Sequence, residues 1–168
     1  MTENWHDLYV MLGSATAALL GLLFVAASLH LDDAQVNAVF ERRARNNTLH
    51  MLVLLVEAAI ILTPQPPAAA GCEIVAVNLF GLCIPVSFTY RMVVKSRDAA
   101  RRGGWGLHRA VTYMTGYALS AAGGAAFVVQ YAGGLYLITA CYILILVSVV
   151  LNAWRIMLGL NQPRKARK

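Results

Sequence analysis

Charge is what this chain has least of: Asp, Glu, Lys and Arg together make up 13% of its 168 residues. A soluble domain averages about 25%, so the shortfall points to lipid as the main solvent. Acids are the scarcer sign, eight against fourteen Lys and Arg. They also fail to cluster, since Asp32, Asp33, Glu41 and Asp98 are scattered among basic residues. No HExxH, P-loop, nucleophile elbow, dinucleotide fingerprint or pair of carboxylates occurs, which argues against an enzyme and calls for no cofactor. Cysteine is sparse too. Cys72, Cys83 and Cys141 are odd in number and lack CxxC spacing, so neither a disulfide framework nor a zinc site is expected, and their apolar settings suit small buried hydrophobes. No polar stretch is long enough for a separate soluble core. Residues 1–168 are therefore expected to form a single transmembrane domain.

What the chain does have is apolar length: 59% of it is hydrophobic, gathered into long runs. Met1–Asp7 is acidic and has no Lys or Arg. A secretory signal needs a basic start, so the first run, about 8–30, reads as a retained span. Its Gly13, Ala17 and Gly21 recur every four residues and form a stripe for close helix packing. Asp32 and Gln35 resemble a helix-opening capping pair, and 33–63 reads as one helix about 45 Å long. Its first part, 33–46, is a cytoplasmic extension and 47–63 a span, ended by Pro64, Pro66 and Pro67. The third span is about 70–94. Pro85 inside it cannot donate to the carbonyl of Gly81, which predicts a kink or local break, a hinge at Gly81 and Pro85. The fourth span, about 110–130, carries a second stripe, Gly116, Ser120 and Gly124. Gly133 and Gly134 make the next turn, and the fifth span is about 135–158.

The fold class that follows is an all-α integral membrane bundle of five transmembrane helices. If the spans cross in turn, all fourteen Lys and Arg fall at one side, in the loops after spans one and three, the C-terminal tail and the helix ends that join them. The positive-inside rule then puts the N-terminus outside and the C-terminus in the cytoplasm. The same placement explains the net charge of +6 without nucleic acid, because the basic loops serve as orientation signals and contacts for anionic lipids. Trp5, Tyr131 and Tyr136 mark the outer interface, Tyr90 and Trp154 the inner one. His6 and Asp7, adjacent in sequence, make a poor acid–base pair, and Trp5 there reads as an anchor.

One carboxylate, Glu57, interrupts the apolar run 49–63. An acid at that depth costs about 2.5–3.5 kcal/mol on insertion scales, so it is expected to face protein or water. His50 lies seven residues upstream on nearly the same helix face, with Asn46 and Arg42 continuing the stripe. His50 and Glu57 are about 10 Å apart along the axis, so a relay between them needs an intermediary. Asn78, Ser120, Thr89 and Asn152 are the candidate neighbours of Glu57. His30, His50 and His108 all fall near the cytoplasmic ends of spans, a weak alternative metal set without a ligand pattern.

Chiefly through Trp5, Asp7, Gly13, Ala17, Gly21, Leu22, Phe24, Val25 and Ser28, the first span resembles the opening of small bacterial multi-pass membrane proteins without an assigned activity. The resemblance covers about 5–31 and implies a bacterial inner-membrane setting and no reaction. The expectation for function is a small homo-oligomeric channel or channel-like transporter for protons or small ions. Its ion or proton path would run through Glu57, His50, Asn46 and Asn78. The alternative is a non-catalytic accessory or scaffold subunit of a larger membrane complex.

Overall fold

The computed structural model describes residues 3–29, 38–95, 104–131 and 133–160, and every described segment longer than a turn is helical. Side chains are described over 5–28, 44–87, 108–131 and 133–154. The helices are α1 (Glu3–Leu29), α2 (Ala38–Leu62), α3 (Pro67–Lys95), α4 (Gly104–Val128) and α5 (Gly134–Leu160). The expected start of α2 at 33, with Asp32 and Asp33, lies outside the described residues, as does His30.

The two described connections are built by local chemistry. At the end of α2, Thr63 turns both its N–H and its hydroxyl onto Ala59 O, at 3.0 and 2.8 Å. Pro64 and Pro66 have no N–H with which to continue the helix. Gln65 then donates to Ile60 O at 3.2 Å and to Glu73 Oε2 at 3.0 Å, filling an orphan carbonyl of the last turn and tying it to α3. Pro67 opens α3, where a missing N–H has no cost. At the end of α4, Gln130 N–H reaches Phe127 O and Tyr131 N–H reaches Ala126 O, at 2.9 and 3.0 Å, with Gln130 at φ 61°. That is a Schellman stop with glutamine in the left-handed position glycine usually takes. Gly133 and Gly134 lie in this turn as expected, with Gly134 N–H on Tyr131 O at 3.0 Å, and neither has positive φ.

Side-chain pairings set the directions. Trp5 meets Tyr136, Tyr9 meets Thr139 and Thr16 meets Tyr142, so α1 and α5 run parallel. Gly71 meets Gly124 and Gly81 meets Tyr117, so α3 and α4 run antiparallel. The five helices therefore alternate up and down, with both described connections at the same end. Helix α2 is central, with Ala58 against Gly13 of α1 and its polar side chains bonded to α3, α4 and α5.

Glycines set the closest approaches. A Cβ on Gly71 would stand 2.7 Å from Gly124 O, one on Gly81 2.7 Å from the Tyr117 ring, and one on Gly123 2.7 Å from Gly134 O. Gly116 is closed by Ile145 of α5, and Gly124 by Ile74 of α3. The expected stripe on α4 thus packs inside the bundle, with its members turned to different neighbours. The stripe on α1 divides instead: Gly13 sits against α2, Ala17 is exposed, and nothing lies within 4 Å of a Cβ on Gly21.

Helix α3 runs unbroken through Pro85, so the expected local break is absent. One missing hydrogen bond does not end a helix already clamped against α4 by Gly71 and Gly81. Two cysteines also depart from expectation: Cys72 and Cys83 are exposed, and Cys141 alone is buried.

The distribution of polarity is inverted relative to a soluble protein. Phe24, Leu22, Phe80 and Leu151 are 74, 64, 64 and 53% exposed, while Thr16, Asn47, His50, Glu57, Asn78, Ser120, Thr139 and Asn152 are buried. Helices α1, α2, α3 and α5 each contain a stretch long and apolar enough to cross a membrane. The architecture fits a multi-pass membrane protein. Helix α4 falls short of that hydropathy because its composition answers to its neighbours: its glycines admit α3 and α5, and its Tyr113, Tyr117 and Ser120 face the polar side of α2.

Candidate functional site: a buried polar line on the central helix

Asn47, His50 and Glu57 sit at i, i+3 and i+10 on α2, one face of a 3.6-residue period, and all three are buried. Three hydrogen-bonded clusters are strung along that face over about 15 Å.

The outermost of them, at the basic end, joins three helices. Asn47 Nδ2 donates to Val149 O of α5 at 3.2 Å, Asn152 Nδ2 donates to Asn47 Oδ1, and Arg109 Nη1 of α4 donates to Asn152 Oδ1. Asn152, a candidate neighbour of Glu57, therefore belongs to this cluster instead. Asn46, expected on the path, is half-buried, and the buried amide is the next residue, Asn47. Both lie within one turn of His50, at i−4 and i−3, and the packing of α5 selects the second. Arg42 and Thr89 lie outside the described side chains.

One turn further in, His50 Nδ1 shares a hydrogen bond of 2.7 Å with the Tyr117 hydroxyl. Its ring stacks on Tyr113 at 3.9 Å between centroids and 21° between planes. The Tyr113 hydroxyl is buried with no hydrogen-bond partner. His108 is exposed and does not join His50. Among the described residues no three His, Cys, Asp or Glu side chains converge in a way that could hold a metal.

Glu57 anchors the deepest cluster. Its Oε1 accepts hydrogen bonds from Ser120 Oγ of α4 and, at 3.2 Å, from Asn78 Nδ2 of α3. Asn78 Nδ2 also donates to Ile74 O at 2.8 Å. The carboxyl is 1% exposed, and no cationic side chain pairs with it among the described residues. Two of the four expected neighbours, Asn78 and Ser120, are thus the actual ones.

Leu54 separates His50 from Glu57 on α2, but Tyr117 and Ser120 are three residues apart on one face of α4, about 4.5 Å of rise. The second helix bridges the gap left by the first. A separate polar pair ties α1 to α5: Tyr9 and Thr139 hydroxyls at 2.8 Å, and Thr16 and Tyr142 hydroxyls at 2.8 Å. Both hydroxyls of the second pair also reach Leu12 O, Thr16 at 2.8 Å and Tyr142 at 3.4 Å.

Asn47, Tyr113, Tyr117, Tyr9, Thr16, Thr139 and Tyr142 escape a reading of the sequence alone. One signal is there: membrane tyrosines favour the interfaces, and Tyr113, Tyr117 and Ser120 at i, i+4 and i+7 lie inside a span on one face. Searches of protein families, curated proteins and solved structures found no match for this chain, so the chemistry of the site carries the functional argument.

Proposed function

We propose that this chain is a five-span membrane protein, with its N-terminus outside and its basic end in the cytoplasm, that acts as a small channel or channel-like transporter for protons or small ions. The observation that carries the reading is Glu57, a carboxyl buried in the apolar half of the central helix, five residues before its end, and held only by neutral donors. An ionisable group in that setting is costly and marks an ion or proton pathway by default. The clusters around His50 and Asn47 continue from it toward Arg109 at the basic end. They supply groups that can pass a proton or coordinate an ion in steps. In this proposal Glu57 is the intramembrane site, His50 and Tyr117 the next stage, and Asn47, Asn152 and Arg109 the entrance from the cytoplasm. The lipid bilayer is the solvent, anionic lipids meet the basic loops, and the setting is a bacterial inner membrane. The exposed small residues of α1 leave a surface on which copies of the chain would pack as a homo-oligomer.

A second reading draws on the same bonds. Asn78 and Ser120 satisfy Glu57 within the chain, which also suits a polar clamp in a non-catalytic accessory subunit of a larger membrane complex. Reconstitution of the purified chain alone into liposomes separates the two. A channel or transporter moves protons or potassium unaided. An accessory subunit is silent and co-purifies with a stoichiometric partner.

A further inference from the structure

The groups around Glu57 leave an unbalanced set of oxygens among α2, α3 and α4. Asn78 cannot turn its amide over without losing bonds, because Nδ2 donates both to Ile74 O at 2.8 Å and to Glu57 Oε1 at 3.2 Å. Its Oδ1 is therefore fixed as an acceptor. That atom is buried, and no donor reaches it. Buried carbonyl oxygens nearly always have a partner, so this one marks a place where something positive belongs. Beside it stands a carboxyl with no cationic partner among the described residues, together with the Ser120 hydroxyl bonded to that carboxyl. Asn78 and Glu57 are each 1% exposed, and so is Ser120.

We infer that Glu57, Asn78 and Ser120 form a binding site for a small monovalent cation of the sodium class. The donor set is all oxygen, which suits a hard cation and offers nothing to a transition metal. Its single formal negative charge matches one positive charge, whereas a divalent ion would leave an excess charge in the membrane interior. Asn78, through Nδ2, and Ser120 both bond one carboxylate oxygen of Glu57, and a cluster this tight favours an ion smaller than potassium. Glu57 supplies the charge, Asn78 Oδ1 gains the partner it lacks, and Ser120 Oγ turns a lone pair toward the ion in place of the proton it now donates. This deepens the preceding reading by naming the ion, and it rests on Glu57 being an ion site but not on conduction.

The test is thermal unfolding of the purified full-length protein in detergent, with sodium chloride exchanged for choline chloride at constant ionic strength and potassium chloride in parallel. Sodium should raise the melting temperature saturably, by about 5–10 °C once it is a hundredfold above its dissociation constant, and potassium should do so only at higher concentration. Equilibrium dialysis with radioactive sodium should give one ion per chain. Asn78→Leu, which removes Oδ1 at similar volume, should abolish both effects. A melting temperature indifferent to sodium, with no sodium retained by the wild-type protein, overturns the site without recourse to any variant. An undiminished sodium shift in Asn78→Leu overturns it equally. Proton flux without sodium binding would sink this proposal while leaving transport standing, and sodium binding without flux of any ion would do the reverse.

Discussion

Two tyrosines share one imidazole, and only one of them is bonded to it. Tyr117 places its hydroxyl 2.7 Å from His50 Nδ1, while Tyr113 stacks on the same ring and leaves its hydroxyl buried and unpartnered. Tyr117→Phe strips His50 of a partner at a site where both residues are at most 2% exposed. A buried group left unsatisfied costs about 1–3 kcal/mol, but hydrogen bonds between membrane helices average about 0.6 kcal/mol and reach about 1.7. The expected loss is therefore about 1–1.5 kcal/mol. Tyr113→Phe removes the orphaned hydroxyl and keeps the stacked ring, so it should be neutral or stabilising. The assay is reversible unfolding in mixed micelles by titration with denaturing detergent, comparing both variants with wild type. Equal destabilisation by the two substitutions, or a larger loss from Tyr113→Phe, would refute the account of this cluster.

The glycine contacts separate in the same assay. Gly124→Val puts methyls into the space held by Ile74 and Gly71 O and should cost about 1–3 kcal/mol by overpacking, whereas Gly21→Ala meets nothing within 4 Å and should be silent in the monomer. Gln130→Gly relieves a left-handed conformation worth about 1–2 kcal/mol, partly offset by unfolded-chain entropy; a stabilisation of about 0.5–1 kcal/mol is expected, and a destabilisation would contradict the Schellman stop. Tyr131→Cys, in a background lacking the three native cysteines, should be labelled in intact cells by a membrane-impermeant maleimide, and protection there would reverse the proposed orientation.

Patterning over long distances is legible in the amino-acid sequence itself. Apolar length and the placement of prolines and arginines point to five helices, the Pro-rich end of α2 and the importance of Glu57. Side-chain direction is harder to read. Asn46 and Asn47 differ by about 100° around α2, and the choice between them depends on where α5 packs, information that lies about a hundred residues away in the chain. At Gly81 the sequence shows the hydrogen bond that Pro85 cannot make, but not the Tyr117 ring that fills the place of a side chain there. Gly133 and Gly134 read as the turn and do lie in it, but the positive φ of the connection falls at Gln130, and a Cβ on Gly123 would collide with Gly134 O. Cys72 and Cys83 read as interior residues on polarity alone; in a chain whose outer surface is apolar, that preference no longer separates inside from outside.

The most direct test of the central claim is proton, sodium and potassium flux into liposomes holding wild-type protein or Glu57→Gln, with expression and oligomer size measured on the same samples. Gln keeps the shape of the side chain and still accepts from Ser120 and Asn78, but it cannot carry the charge or the proton. The account predicts flux in wild type and its loss in Glu57→Gln at unchanged oligomer size. Equal flux in both would contradict it, and no flux in either would sink the channel reading and leave the accessory-subunit one.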